Sequence, residues 1–447
     1  MITRKKTYIY FFIYLIAIGA VYFEFKFTRT LQIERWKYFI WDGEQKETRL
    51  IFVWNILCLT AILLYFLKSR VYEKYVAPIT TIAIFAFLIT FPFILSSDQK
   101  TKLATGATFI NEDLYFMDFV AVIQSSACRF NGNCPDPKNL EFPYSDSSFI
   151  FQFVPIDSAI PIAFFINLVS IVILIFVVKS MIGISGVPIF LLSPWYYFVL
   201  ERSNLDIIML NIVLLLILKT GRVVKYILYL GALFLVSLKP IFAGFLLTNN
   251  LNRRNITYFG LGVLSIFAGY EFNIERIQQS RSIVDPTPFG AFGFSEIIEL
   301  LRILGDYRTL LTIFVIILII LATLLLREIL VRNKKQVKQS SIDSRLIFLL
   351  LVIFIAGNQV NYKLIMLFPL LLIILKIEMG RFQKLLILMP TLGLISIGQH
   401  TLMRGSLVVI LTMALIIQVA VDFLSNIKKT DITAAALFQS IRIKSKH

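Results

Sequence analysis

Long apolar runs separated by short polar segments fill most of this chain of 447 residues. The runs consist of consecutive aliphatic and aromatic residues, and they lack the strict alternation that a membrane β-barrel requires. A continuous apolar run predicts a helix, because a helix satisfies its own backbone hydrogen bonds where no water is available. The pattern therefore predicts an all-α, polytopic membrane protein with about 12–14 transmembrane helices.

The runs leave no room for a soluble domain of ordinary size, so residues 1–447 are predicted to form a single integral membrane domain. Several runs are shorter than the roughly 20 residues that a straight span needs. The first run follows Arg4-Lys5-Lys6 and lacks a small-x-small cleavage site, so we interpret it as a retained span and not as a secretory signal. In chain order the predicted spans are 7–23, 51–67, 78–95, 160–178, 184–200, 207–218, 226–238, 241–248, 256–270, 309–326, 346–357, 364–375, 385–398 and 406–424.

Composition and charge support a membrane location and predict its orientation. Of the residues, 58% are hydrophobic, and the mean hydropathy is +0.80. The segment around Lys239-Pro240 could form one kinked helix or a short hairpin. The hairpin is preferred, because it leaves 26 Lys and Arg against 6 Asp and Glu inside, and 18 against 21 outside. Both termini, including the basic tail 425–447, are then cytoplasmic. The net charge of +17 mostly reflects this orientation, so we predict no nucleic-acid partner.

Two long loops, 96–159 and 271–308, lie on the outer face in this topology. The first loop contains a run with helical periodicity from 109 to 127 that carries Asp113 and Asp118. Such a run predicts a helix lying along the membrane surface. The second loop combines a Pro/Gly/Phe segment with an amphipathic run, a pattern found in mobile covers of active sites and in ordinary connections alike.

The cysteines predict a disulfide in the first outer loop. Cys128 and Cys134 lie close together there, and an oxidising outer side favours a bond between them over two free thiols. Cys58 lies within a predicted span, where it is interpreted as a packing residue. No Cys/His cluster has the spacing of a zinc site, so the sequence shows no metal signature.

Polar and charged residues from the ends of different spans converge on the outer face in this topology. Carboxylates there could act as a general base. Cations could stabilise a phosphate that gains charge as it leaves. The predicted shared site comprises Asp113, Asp118, Glu201, Arg202, Asn204, Asp206, Lys239, Asn361, Tyr362, Lys363 and Arg404.

Four short elements, in this order along most of the chain, carry a resemblance to a known family. They are Asp118-Phe119, the stretch Glu201–Asp206, Leu238-Lys239-Pro240 and Asn361-Tyr362-Lys363-Leu364. They resemble motifs of membrane glycosyltransferases of the GT-C superfamily, particularly the family 87 (DUF2029-type) polyprenyl-phosphate-sugar mannosyltransferase-like proteins. The chain departs from the family pattern at Ser203, where the family has glycine. It departs again at Asn361 and Lys363, where the family has an acidic residue and arginine.

The resemblance implies a GT-C-like fold that transfers a sugar from a polyprenyl-phosphate donor to a glycan or glycolipid acceptor, with inversion. The reaction would take place outside a bacterial inner (plasma) membrane. Asp118 is the first choice for the base that takes the acceptor proton, and Asp113 is the second. Arg202 and Lys239 are the first choices for contacting the donor phosphate. No cofactor is implied, although some members of the superfamily use a divalent ion, so metal dependence stays open.

Other interpretations stay open at this point. Arg202 could instead pair with Glu201 or Asp206 to close the hairpin, and Lys239 could extend along the apolar surface to reach water. As a whole, the chain could be a transporter or flippase for lipid-linked saccharides, or an O-antigen-type polymerase or ligase. It could also be a scaffolding protein. A transporter is disfavoured because the predicted span centres look almost purely aliphatic and aromatic, and no internal repeat is visible.

Overall fold

The protein is described here by a computed structural model. The described residues are Tyr8, 10–19, 45–94, 116–131, 146–203, 205–218, 221–238, 261, 264, 267, 291–292, 359–376, 381–396, 407, 410–411 and 414–415. This part of the chain is helical, apart from an antiparallel pair of two-residue strands, β1 (Ala291–Phe292) and β2 (Gln359–Val360). The all-α prediction is therefore confirmed for these residues.

The helices follow most of the predicted spans over the described ranges. They are α1 (Tyr10–Gly19), α2 (Gln45–Leu67), α3 (Ala77–Ile94), α4 (Met117–Asn131), α5 (Ile156–Ile182), α6 (Val187–Leu191), α7 (Pro194–Arg202), α8 (Asp206–Ile217), α9 (Arg222–Leu238), α10 (Leu367–Lys376) and α11 (Arg381–Ser396). A π-helix (Tyr72–Val76) leads into α3, and 3-10 helices occupy Asp146–Phe153, Ile184–Gly186 and Asn361–Met366.

Two described helical stretches are long and apolar enough to cross a membrane by length and composition. They are Tyr72–Thr90, with 19 residues, and Asp157–Ile182, with 26 residues. At about 1.5 Å per residue, the 27 residues of α5 extend for about 40 Å, which exceeds a hydrocarbon core of about 30 Å. In the other helices of the described part the apolar stretch is shorter, from 10 to 17 residues; in α2 it is Asn55–Leu67.

The predicted span 184–200 is wrong as a single helix. The chain forms the 3-10 helix Ile184–Gly186 and the short helix α6, then turns at Leu192-Ser193 before α7 begins at Pro194. Proline lacks a backbone N–H and clashes with the preceding turn, so it ends one helix and begins the next. Residues 184–200 are called the broken segment below, and they are buried from Val187 to Tyr196. Such an interruption is tolerated at membrane depth only where protein surrounds it.

Side chains from the broken segment bind the carboxyl end of α11. The last carbonyls of a helix have no partner within it. Here the Ser193 hydroxyl donates to the carbonyl of Ile395 at 2.9 Å, and Trp195 Nε1 donates to that of Leu394 at 2.8 Å. These bonds join segments about 200 residues apart in the chain. They connect the late helices to the centre of the described core.

Aromatic packing fills the space between the broken segment and α10. The Phe368 ring packs edge-on against Phe190, with centroids 5.0 Å apart, and lies 5.7 Å from the Tyr196 ring. All three side chains are fully buried. Edge-on ring pairs of this kind add stabilisation beyond the area they bury.

The predicted outer-loop helix is present as α4, but its apolar face contacts protein. Phe119, Val122 and Ile123 are almost completely buried, and α4 packs on the 3-10 helix Asp146–Phe153 and on α5. These side chains are therefore unavailable to a lipid surface, which corrects the expectation of a helix lying on the membrane through its own apolar face.

Candidate functional site

The stretch Glu201–Asp206 is a tight turn between α7 and α8. Helix α7 ends at Arg202, and Ser203 adopts a left-handed conformation with φ 47° and ψ 45°. Its N–H donates to the carbonyl of Leu200 at 3.2 Å, which closes the last turn. Glycine is usual at such a helix end because a Cβ is strained there. Position 203, where the resembling family has glycine, therefore has a left-handed backbone that favours glycine.

The Ser203 hydroxyl provides a contact that glycine would lack. It donates to Oδ1 of Asn167 in α5 at 2.9 Å, with the carbonyl of Ala163 a further acceptor at 3.3 Å. The Asn167 amide in turn donates to the Leu200 carbonyl. Ser203 is 2% exposed and Asn167 is 6% exposed, so water does not compete for these bonds. The backbone strain at Ser203 is thus offset by a buried hydrogen-bonded contact with α5.

Asp206 is fully buried at the first position of α8. A carboxylate at a helix N-terminus is favoured by the helix dipole and by the free N–H groups there. The side chain of Asp206 is therefore not exposed to water, although it lies in a charged turn.

A second buried polar group lies deeper along α5, and the sequence reasoning missed it. The Ser170 hydroxyl donates to Oδ1 of Asn211 in α8 at 2.9 Å, and the Tyr196 hydroxyl lies 3.3 Å from Ser170 Oγ. Together with Asn167, these residues place polar groups inside three predicted spans, 160–178, 184–200 and 207–218. The available signal was the pair of amides within the apolar runs FFINLVSIVIL and IIMLNIVLLL.

A small, partly open cleft lies between α3, α5 and α7, and its free space of about 10 Å³ is room for about one water molecule. Its lining is apolar and aromatic except for Asn167 and the hydroxyl of Tyr197. Two lining residues sit beside predicted site residues, since Phe116 is two residues before Asp118 and Leu200 immediately precedes Glu201. The lining residues are Leu88, Ile89, Phe116, Phe164, Asn167, Leu168, Ile171, Tyr197 and Leu200.

Backbone strain is present at both of these edges of the cleft. Phe116 has a φ of 65° and is 3% exposed, and its carbonyl accepts the N–H groups of Phe119 and Val120 at 3.1 Å to start α4. A bulky residue in this region costs about 1–3 kcal/mol and persists only where its surroundings enforce it. Three described non-glycine residues have a positive φ. Of these, Phe116 lines the cleft, and Ser203 bonds to Asn167 and Leu200, which line it.

The structure brings three of the predicted elements together at the level of the backbone. Helix α7, which carries Glu201 and Arg202, packs against α4, which carries Asp118 in its first turn. It also packs against the 3-10 helix Asn361–Met366. The side chains of Asp118, Glu201, Arg202, Asn361, Tyr362 and Lys363 lie outside the described part, as do the residues Asp113, Asn204, Lys239 and Arg404.

Cys128, in the last turns of α4, is disulfide-bonded, and its predicted partner Cys134 lies outside the described residues. Cys58 is a buried free thiol whose Sγ lies 3.6 Å from the Ile189 carbonyl, in a packing position between α2 and α6. Among the residues that the structure describes, no three His, Cys, Asp or Glu side chains are grouped to hold a metal ion.

Comparison of the chain with protein-family models, with curated proteins and with solved structures finds no match.

Proposed function

We propose that this protein is a polytopic membrane glycosyltransferase of GT-C type that uses a polyprenyl-phosphate-linked sugar on the outer face of the membrane. The observation that carries the proposal is the cleft between α3, α5 and α7, where the segments holding Asp118 and Glu201-Arg202 adjoin one apolar opening. The apolar lining suits contact with the hydrocarbon of a lipid-linked substrate along the mouth of this small cleft, and polar residues at its rim would face the head group.

The membrane part of the proposal is supported by the apolar stripe on α5. Phe165, Val169, Val172 and Phe176 recur at helical spacing and are between 37% and 63% exposed, while Asn167 and Ser170 on another face are buried. Exposed side chains of this size along about three turns suit contact with lipid, because water would disfavour a continuous apolar stripe.

The proposed reaction is a single displacement at the anomeric carbon of the sugar. Asp118 accepts the proton of the acceptor hydroxyl as that oxygen forms a bond to the anomeric carbon. The bond from that carbon to the phosphate oxygen breaks, and polyprenyl phosphate leaves with the bonding electron pair. Arg202, Lys239, Lys363 and Arg404 are proposed to stabilise the negative charge that develops on the phosphate.

The test uses the full chain in proteoliposomes with a radiolabelled polyprenyl-phosphate hexose, and a membrane extract supplies the acceptor. Asp118→Asn should lower the release of polyprenyl phosphate by about 10²-fold or more, since general-base catalysis contributes factors of this size. The matched control is Asp157→Asn, which neutralises an exposed carboxylate in the first turn of α5 and should leave turnover within about twofold. Equal turnover by Asp118→Asn and the control would refute the assignment of the base.

A second candidate function, transport of a lipid-linked saccharide, is favoured by the buried polar group of Ser170, Tyr196 and Asn211 and by the helix broken at Ser193-Pro194. Polar side chains and interrupted helices at membrane depth are features of transport proteins. The two candidates differ in one measurable outcome. A transporter would move the intact labelled donor to the opposite leaflet without cleaving its sugar–phosphate bond, and Asp118→Asn would leave that movement unchanged.

A further inference from the structure

Large apolar side chains stand exposed on the 3-10 helix Asp146–Phe153. Phe149 is 50% exposed, Ile150 is 49% exposed and Phe153 is 73% exposed. A 3-10 helix has about three residues per turn, so residues three apart share a face. Ile150 and Phe153 therefore project together from one face, and Phe149 lies beside them in the sequence. Phe149, Ile150 and Phe153 are called the apolar patch below.

The opposite face of the same 3-10 helix packs against protein. Ser148 is fully buried, and the Phe151 ring packs edge-on against Phe119 of α4 with centroids 6.2 Å apart. Ser148 and Phe151 are again three residues apart. The segment thus packs on α4, with a further backbone contact to α9, and keeps Phe149, Ile150 and Phe153 exposed.

The apolar patch is separated by only a short stretch of chain from α5, which carries the exposed stripe. Only Val154 and Pro155 separate the two helices, and Ile160, 48% exposed, begins the apolar surface of α5. No Lys or Arg occurs from residue 139 to residue 178, and the acidic residues of this range that flank the patch are Asp146 and Asp157. With no basic side chain beside it in the sequence, the patch would be held at the boundary between head groups and acyl chains by apolar burial alone.

We infer that the apolar patch is a membrane-surface anchor whose partner is the lipid of the outer leaflet. The inference rests on the proposed membrane location of α5. Because the other face of the 3-10 helix packs on α4, the anchor would hold the first turn of α4, and the rim of the cleft near Phe116, at a fixed height above the bilayer. Helix α4 does not make this contact itself, since its apolar face is buried within the protein.

The test places a single fluorescent label at each of three positions of the full chain in phosphatidylcholine vesicles. The variants are Phe153→Cys in the patch, Val169→Cys at the middle of α5, and Gln124→Cys on a partly exposed, polar position of α4. Cys58 is buried and Cys128 is disulfide-bonded, so neither competes for the label in unreduced protein. Quenching is measured with lipids that carry a spin label either near the head group or near the end of the acyl chain.

The expected result is a different depth for each label. The shallow quencher should reduce the Phe153→Cys signal about twofold more than the deep one does, because an interfacial segment enters only about 5–10 Å. Val169→Cys should respond more to the deep quencher, and Gln124→Cys should respond to neither. If Val169→Cys is not quenched, the membrane proposal itself fails. If Val169→Cys is quenched while Phe153→Cys behaves like Gln124→Cys, a protein surface or a second copy covers the patch and the anchor is refuted. Quenching of Phe153→Cys mainly by the deep label would also overturn an interfacial position.

Discussion

Substitutions at Ser203 separate the cost of its backbone conformation from the contribution of its hydroxyl. Ser203→Ala keeps the Cβ in the left-handed conformation and removes the hydroxyl that donates to Asn167 at 2.9 Å. The buried Oδ1 of Asn167 then loses this donor, which costs about 1–3 kcal/mol. Ser203→Gly loses the same bond but relieves the strain of the Cβ, which returns about 1 kcal/mol. We therefore expect Ser203→Ala to be the least stable variant, with Ser203→Gly between it and the parent.

A double-mutant cycle with Asn167→Ala measures the hydrogen bond itself. If Ser203 and Asn167 act through their shared bond, the two substitutions should be non-additive by about 1 kcal/mol. The free energy of unfolding is measured by SDS titration in mixed micelles, followed by the helical circular dichroism signal. Ser180→Ala is the matched control, because Ser180 is an exposed residue whose hydroxyl donates to the Val177 carbonyl of its own helix, so its effect should stay within about 0.5 kcal/mol.

The reasoning is refuted by either of two results. Equal stability of Ser203→Ala and Ser203→Gly would show that position 203 is not left-handed in the folded protein. Additive effects of Ser203→Ala and Asn167→Ala would show that the two side chains do not interact. The first result concerns the turn between α7 and α8, and the second concerns its attachment to α5.

The remaining predictions concern the buried core and use the same unfolding measurement. Trp195→Phe keeps an aromatic ring but removes the donor to the Leu394 carbonyl, so stability should fall by about 1–3 kcal/mol; no loss would mean that this bond does not hold the end of α11. Phe368→Ala removes a fully buried ring between Phe190 and Tyr196 and should cost about 3–5 kcal/mol. Phe165→Ala, at a position 63% exposed, is its control and should cost much less; equal losses would contradict the assignment of core and surface.

The helical class and the approximate positions of most described helices could be predicted from the sequence, because apolar runs are a local signal. The interruption at Ser193-Pro194 also has a local cause in proline. It was missed because the hydrophobicity of 184–200 continues across the break without a gap. Helix α4 was expected from its periodicity, yet periodicity identifies an apolar face without identifying what covers that face.

The candidate site likewise combines residues that local sequence signals identify and residues that only tertiary contacts identify. The resemblance selected Glu201–Asp206 and Asn361–Lys363, and the structure packs the helix that ends at Arg202 against the 3-10 helix that begins at Asn361. Asn167, Ser170 and Asn211 were not predicted as site residues, because one or two uncharged polar residues barely interrupt a long apolar run. Their partners lie between 26 and 41 residues away in the chain.

The sequence by itself therefore determined the helical class and the approximate positions of most described helices, because apolar runs are local properties. Only the tertiary structure decided that Ser203 takes the left-handed conformation and donates its hydroxyl to Asn167. It alone decided that the apolar face of α4 packs against protein, while Phe149, Ile150 and Phe153 remain exposed. The physical reason is that a hydrogen bond or a packed face depends on which distant helix lies opposite. Local periodicity shows which side chains share a face, but it does not identify the helix that packs against them.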